Sequence, residues 1–339
     1  MLNLSIDYGR SSVKYAKEGT KGLFSSAIYN DPEEVNKELS VGDVDYIKVR
    51  FNGEEYAIGD LALEYDGVIN TANYDDIESD RAKIFILTAI GLLGNGGENI
   101  KLMTTLSADQ YNNKKEEFGK QFEKKNFSID VYDSESDVYD KKEFYIKEVY
   151  VRQQGFYAFM NHLLNRDGSV NISKSNILDE NNLVIDIGEY STDLYATKKD
   201  KLERIKNVDI RIPGMRDSID KIRQKINSKY SCRLENYEVL NSIQEGFIRK
   251  GNDKIKIDKI INNEYSSVAN IIVENVKDKI NFTSIDNVQN ILLCGGGARP
   301  LKGYISNCLK REVSVIDNPR FANCLGGLKA AKMDEIADE

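Results

Sequence analysis

The chain of 339 residues has one histidine, four cysteines and four prolines. The single histidine, His162, excludes any mechanism that needs two imidazoles, and it lies off the apolar stripe of its segment, as a surface residue does. Cys232, Cys294, Cys308 and Cys324 form no Cys-x-x-Cys, so a His/Cys metal site or a Cys–His catalytic pair has no material to be built from. They read as reduced, small apolar residues. Prolines at 32, 213, 300 and 319 are too scattered for a Pro-rich linker. The longest apolar stretch, near Ile84–Leu93, falls short of the ~20 residues a membrane span needs. The first residues, Met-Leu-Asn-Leu-Ser, carry no basic region or signal core, and the closing Lys-Met-Asp-Glu-Ile-Ala-Asp-Glu is too acidic for an interfacial anchor. A cytoplasmic protein with no membrane partner is expected. Positive charge is also in short supply. Lys plus Arg number 47 against 55 Asp plus Glu, a net charge of −8. That balance disfavours direct contact with nucleic acid, which wants a basic surface, but leaves room for a basic adaptor.

What is present is an ordinary globular composition, 40% hydrophobic and 30% charged, at a length that predicts about two domains. Alternating Leu2, Leu4 and Ile6 open a strand, followed by strands over 13–16 and 23–28. Asn52-Gly53 marks a hairpin between 46–51 and 54–58. A broadly apolar helix over 80–93 ends at Gly94, a strand covers 101–106, and Ser107 caps a polar helix over 108–124. Strands follow over 127–131 and 144–151, separated by the acidic loop 133–140. Phe156, Phe159, Met160, Leu163 and Leu164 share one face of a helix over 154–166. Arg166-Asp167-Gly168-Ser169 and the polar stretch behind it give the domain boundary. Beyond it come strands over 183–187, 192–197 and 202–208, helices over 215–228, 234–245 and 257–280, a strand over 288–294, a helix over 299–309, a short strand over 313–316 and a final helix over 321–331.

The chemistry is carried by an internal repeat. A shift of 179 residues lays Leu4-Ser5-Ile6-Asp7-Tyr8-Gly9 over Leu183-Val184-Ile185-Asp186-Ile187-Gly188, and Ser12 over Ser191. Each copy is an apolar strand ending in Asp-x-Gly, then a polar turn and a second strand. A carboxylate at a sheet edge suits a hydrated Mg²⁺, and the glycine lets backbone amides approach phosphate oxygens. Lys14 can reach back from the second strand to the phosphates. One such loop reads as a plain hairpin; two at equal offsets read as a pair of phosphate loops facing each other. A third glycine element, Cys294-Gly295-Gly296-Gly297-Ala298, joins an apolar strand to a helix whose first turn takes Pro300.

Together these elements resemble the superfamily of actin, sugar kinases and heat-shock chaperone ATPases, over essentially the whole chain. Within it the chain is similar to the ParM-like bacterial actins that segregate plasmids. The resemblance implies an α/β fold of two similar domains, each a mixed sheet flanked by helices, with a nucleotide cleft between them. The domains fall at 1–168 with 321–339, and at 169–320. It implies nucleotide contacts from Gly9, Arg10, Ser11, Ser12 and Lys14, from Gly188, Glu189, Tyr190 and Ser191, and from Gly295, Gly296, Gly297 and Ala298. Asp7 and Asp186 are the expected Mg²⁺ carboxylates and, with Gln154, the catalytic set. Gln154 stands where the family places a water-positioning Glu or Gln, with Gln153 one residue away as the alternative. Arg10 replaces the small residue usual after the first-loop glycine, and Glu189 stands at the equivalent place in the repeat, so the two opposite charges either both point to solvent or meet as a latch.

The implied function is a filament-forming NTPase that polymerises with ATP or GTP and Mg²⁺, hydrolyses the nucleotide and drives DNA segregation through a DNA-binding adaptor. The alternative is a small-molecule kinase of the same fold, which needs a base to deprotonate its substrate. Gln154 cannot serve as one.

Overall fold

In the computed structural model, which describes residues 1–32, 46–70, 77, 79–198, 212–279 and 285–338, the opening alternation forms β1 (Leu2–Tyr8), paired antiparallel to β2 (Ser12–Lys17) and, beyond it, β3 (Thr20–Ser25). The single strand expected over 23–28 is two, because Ser26 interrupts it. The Ser26 N–H donates to Ser11 O (2.9 Å) and its hydroxyl to Gly9 O (2.6 Å), after which β4 (Ala27–Asn30) starts. Then come β5 (Ile47–Phe51), β6 (Glu54–Ile58), β7 (Ile69–Asn70), α1 (Asp80–Leu93), β8 (Glu98–Leu106), α2 (Ala108–Phe122), β9 (Lys125–Asp133), β10 (Val138–Gln153) and α3 (Phe156–Leu163). The chain divides into two compact units, Met1–Lys174 with Phe321–Glu339, and Ser175–Arg320.

The first unit is built on a ten-stranded sheet in the order β3-β2-β1-β8-β10-β9-β5-β6-β4-β7, with β1, β8 and β10 parallel at its centre. Strand alternation sorts its two faces. Leu4, Ile6 and Leu102 join the cluster of Phe85, Ile86 and Ile90 from α1, while Ser5 and Met103 turn to the other face, against α8 (Ala322–Asp338). Lys101, 4% exposed, is paired with Asp334 of α8 at 3.5 Å and fastens that helix to the sheet. The short strands expected over 127–131 and 144–151 are one long hairpin, registered from Ile146↔Lys125 to Val138↔Asp133. Cross-strand aromatic pairs, Phe127–Phe144 and Tyr132–Tyr139, carry the pairing outward, and the Asp133 carboxylate closes the turn on the N–H of Glu135.

The helix expected from Gln154 begins two residues later. Gly155 takes a left-handed conformation, φ 89°, that no helix interior allows. It also stops at Leu163, where the Lys329 ammonium of α8 donates to the carbonyls of Asn161 (2.7 Å) and Leu164 (2.8 Å). His162 is half-buried.

The second unit contains β11 (Asn182–Ile187), β12 (Thr192–Thr197), α4 (Met215–Tyr230), α5 (Asn236–Glu245), β13 (Phe247–Lys250), β14 (Asp253–Lys256), α6 (Asp258–Lys279), β15 (Asn290–Cys294), α7 (Ala298–Leu309) and β16 (Ser314–Val315). Its four-stranded sheet runs β12-β11-β15-β16, with β11, β15 and β16 parallel. The core is one mostly aliphatic cluster from these strands, from β13 and from α4, α5, α6 and α7. The β13–β14 hairpin has no counterpart in the sequence reading. The strand expected over 202–208 lies outside the described residues. No helix among the described residues is long and apolar enough to cross a membrane.

Candidate functional site

In the first unit, β1 delivers Asp7 to the edge of the sheet, where it is only 5% exposed. Its Oδ1 accepts from the Thr105 hydroxyl of β8 (2.9 Å) and from Gln154 Nε2 (3.4 Å), and its Oδ2 lies 3.4 Å from Lys14 Nζ. Asp7 and Lys14 are direct cross-strand partners of β1 and β2, so a tight turn alone puts the cation over the carboxylate. The Gly9 N–H donates to Ser12 O (3.2 Å), and a Cβ on Gly9 would stand 2.9 Å from that oxygen. Arg10 and Ser11 are half-buried on this turn and Ser12 is buried. At the end of β10, Gln153 is 2% exposed, whereas Gln154 is half-buried and is the one whose side chain reaches Asp7.

The head of α8 supports this group from beneath. The Cys324 thiol donates to Lys14 O at 3.3 Å, and burial, with the Asp7 carboxylate behind it, pushes the thiol pKa well up, so it stays protonated. A side chain at Gly326 would run into the Tyr157 carbonyl, and one at Gly327 into Ser5. The Asn323 amide oxygen accepts from the N–H groups of Gly155 (3.2 Å) and Ala158 (3.3 Å).

The second unit repeats the turn. Gly188 N–H donates to Ser191 O (2.9 Å), and a Cβ on Gly188 would again stand 2.9 Å from that oxygen. Here the cross-strand partner of Asp186 is Asp193. Two carboxylates therefore occupy the places that Asp7 and Lys14 hold in the first unit. Like charges directly opposite destabilise an antiparallel pair, and the donor set fits a divalent cation that takes one or two carboxylates and keeps its waters. The turn is held by the start of α4. Met215 N–H donates to Gly188 O (3.1 Å) and Arg216 N–H to Glu189 O (2.7 Å). The Glu189 carboxylate pairs with Arg216 (3.3 Å), which also binds Asp220 (3.1 Å). Tyr190, half-buried, places its ring 6.0 Å from the same guanidinium. Glu189, one of the two candidate latch charges, thus has a partner in its own unit.

The three glycines after β15 have different duties. Gly295, at φ 81°, and Gly297 lie so close to β11 that a side chain on either would run into Ile187, and Gly297 N–H donates to Ile187 O (2.9 Å). Gly296 is exposed with open space around it. Ala298, fully buried, starts α7.

Each unit thus carries an Asp-x-Gly turn closed by a glycine-to-serine hydrogen bond, and comparison with known proteins decides the family. Residues 5–156 match the N-terminal domain of actin-like proteins, and residues 184–307 the C-terminal domain of the archaeal, MreB-like actin homologue. The chain belongs to the actin-like family. Among solved structures, this actin-like protein is similar to the ParM of a 15-stranded filament from Clostridium botulinum, at 21% identity and TM-score 0.73, over 98% of this chain and 99% of that one. It is also similar to the archaeal actin homologue Ta0583, at 17% identity and TM-score 0.78, over 98% and 100%, and to the protein of the Alp12 filament, at 18% identity and TM-score 0.67, over 99% of each. No curated protein sequence matches. At these identities the likeness is one of fold, and the fold is that of the two-domain actin homologues.

Four polar residues beside the two turns were given no role by the sequence reading. Thr105 and Asn323 come from elements far away in sequence, Arg216 through a helix start behind undescribed residues, and Asp193 through register. For Asp193 a signal was available, since it is the residue equivalent to Lys14 under the same shift of 179.

Proposed function

We propose that this actin-like protein binds ATP or GTP with Mg²⁺, polymerises in that state, and hydrolyses the γ-phosphate to release its subunits. The observation that carries the reading is the paired turns with unlike partners, Asp7 facing Lys14 and Asp186 facing Asp193. In this reading the Gly9–Ser12 and Gly188–Ser191 turns offer backbone amides and hydroxyls to phosphate oxygens, and Lys14 adds a cation. Arg10, Glu189 and Tyr190 flank them. Gly295, Gly296, Gly297 and Ala298 lie against the nucleoside. Asp186 with Asp193 would hold Mg²⁺, which supplies charge neutralisation at the phosphates. Asp7 organises Lys14, Thr105 and Gln154. Gln154 orients the attacking water through its amide, as a glutamine does in small GTPases, because it cannot take the proton.

The archaeal homologue has been solved as a complex with ADP, and two of the similar proteins are filaments; these support nucleotide binding and self-association here. With a net charge of −8, DNA is reached through a basic adaptor rather than directly, so the proposed task is DNA segregation in the cytoplasm. Light scattering of the purified chain with ATP, GTP or no nucleotide, with and without Mg²⁺, and with phosphate release followed in parallel, tests this. Scattering that needs nucleotide and Mg²⁺ and decays as phosphate appears is expected. Phosphate transfer to a small hydroxylated acceptor without scattering would instead establish the kinase alternative.

A further inference from the structure

Helix α3 begins without a cap of its own, because the residue at its N-cap is Gly155, which has no side chain. The first amides of a helix need acceptors from elsewhere. Asn323, 5% exposed, supplies one from a different helix, its Oδ1 taking the N–H of Gly155 and of Ala158. Gln154 is the residue next to Gly155, and its own N–H donates to Leu106 O at 2.8 Å. Its backbone is therefore clamped on both sides, by β8 before it and by Asn323 behind it, while its side chain extends to Asp7. A group that aligns a water molecule is sensitive to displacements of a fraction of an ångström, so such a clamp bears on turnover as well as on folding.

The other end of the connection lies in the second unit. The Gly295 N–H donates to Pro319 O at 2.8 Å. The chain passes from the second unit to the first between Arg320 and Phe321, and Asn323 stands four residues beyond Pro319.

We propose that Asn323 is a positioning residue that holds Gln154 in its water-orienting place and, through the short segment from Pro319, makes that place depend on the state of the Gly295 loop. The proposal rests on the reading of Gln154 given above.

A double-mutant cycle separates this role from simple stabilisation. Asn323→Ala is expected to lower the rate of phosphate release about 10- to 100-fold, with nucleotide affinity kept within about threefold. Asn323→Asp, which keeps the accepting oxygen at a helix N-terminus, is expected to retain most of the rate. In a Gln154→Ala background, Asn323→Ala should change the rate no further, because the residue it serves is gone. Should Asn323→Ala not fold, Asn323→Ser, with its shorter hydroxyl, takes its place in the cycle. Hydrogen exchange at Gly155 and Ala158 should change when ADP is added to the wild-type chain and cease to respond in the Asn323 variant. Additive losses in the cycle, or exchange at Gly155 indifferent to ADP, would overturn the inference and leave the role of Gln154 standing. A Gln154→Ala chain with wild-type turnover would overturn the assignment of Gln154 first, and the inference with it.

Discussion

The turns after β1 and after β11 share one backbone and differ in charge at two places, Arg10 against Glu189 and Lys14 against Asp193. Both close by the same glycine-to-serine hydrogen bond, and both lack room for a Cβ at the glycine. The first sets Lys14 opposite its aspartate, the second sets Asp193. The first pairs its aspartate with a cation from its own hairpin. The second sets a like charge at the same register position, and in the proposed reading those two carboxylates serve Mg²⁺.

The comparison breaks most visibly at Lys14. Its removal as Lys14→Met leaves Asp7 buried without its cation, and a loss of about 3–5 kcal/mol is expected in chemical unfolding. The equivalent Asp193→Ala, at a half-buried position, should cost less. A Lys14→Met chain as stable as wild type would show that the two turns are energetically alike. Next comes Asp186→Ala, expected to slow Mg²⁺-dependent phosphate release about 100-fold or more while the circular dichroism spectrum stays that of the folded chain. Gly9→Ala and Gly188→Ala probe the shared backbone. Each forces a Cβ against a serine carbonyl at 2.9 Å, and losses of about 1–3 kcal/mol, similar at the two sites, are expected in thermal melts. The smallest effect sharpens the comparison. Asp193→Lys rebuilds the first pattern in the second unit, and a weaker Mg²⁺ requirement for nucleotide binding is expected in a titration with and without the metal.

Much of this comparison could be read before any coordinates. The two turns declare themselves because a local pattern recurs at one offset, and a strand ending in Asp-x-Gly makes its hairpin from neighbours alone. The same offset pairs Lys14 with Asp193, a contrast that only cross-strand register turns into chemistry. Non-local features stayed hidden. Nothing near Thr105 or Asn323 announces that β8 and α8 bring them to Asp7 and Gly155. The start of α3 was misjudged because an apolar period runs on through Gly155, whereas the left-handed backbone there is set by tertiary contacts with α8. The acidic stretch 133–140 read as a loop because charge outweighed the flanking aromatics whose stacking extends the hairpin.

The order of the chain gives α8 a further consequence, in time rather than space. The second unit is contiguous, whereas the first is closed only by residues that follow it. On a ribosome adding ~5–20 residues per second, β1 to α3 emerge first and then wait on the order of ten seconds while the second unit is made. Throughout that wait the sheet face of Ser5 and Met103 is bare, Gly155 lacks its acceptor, and the Asp7 group has no floor. The Asp7 turn is thus completed only after the whole second unit has been made.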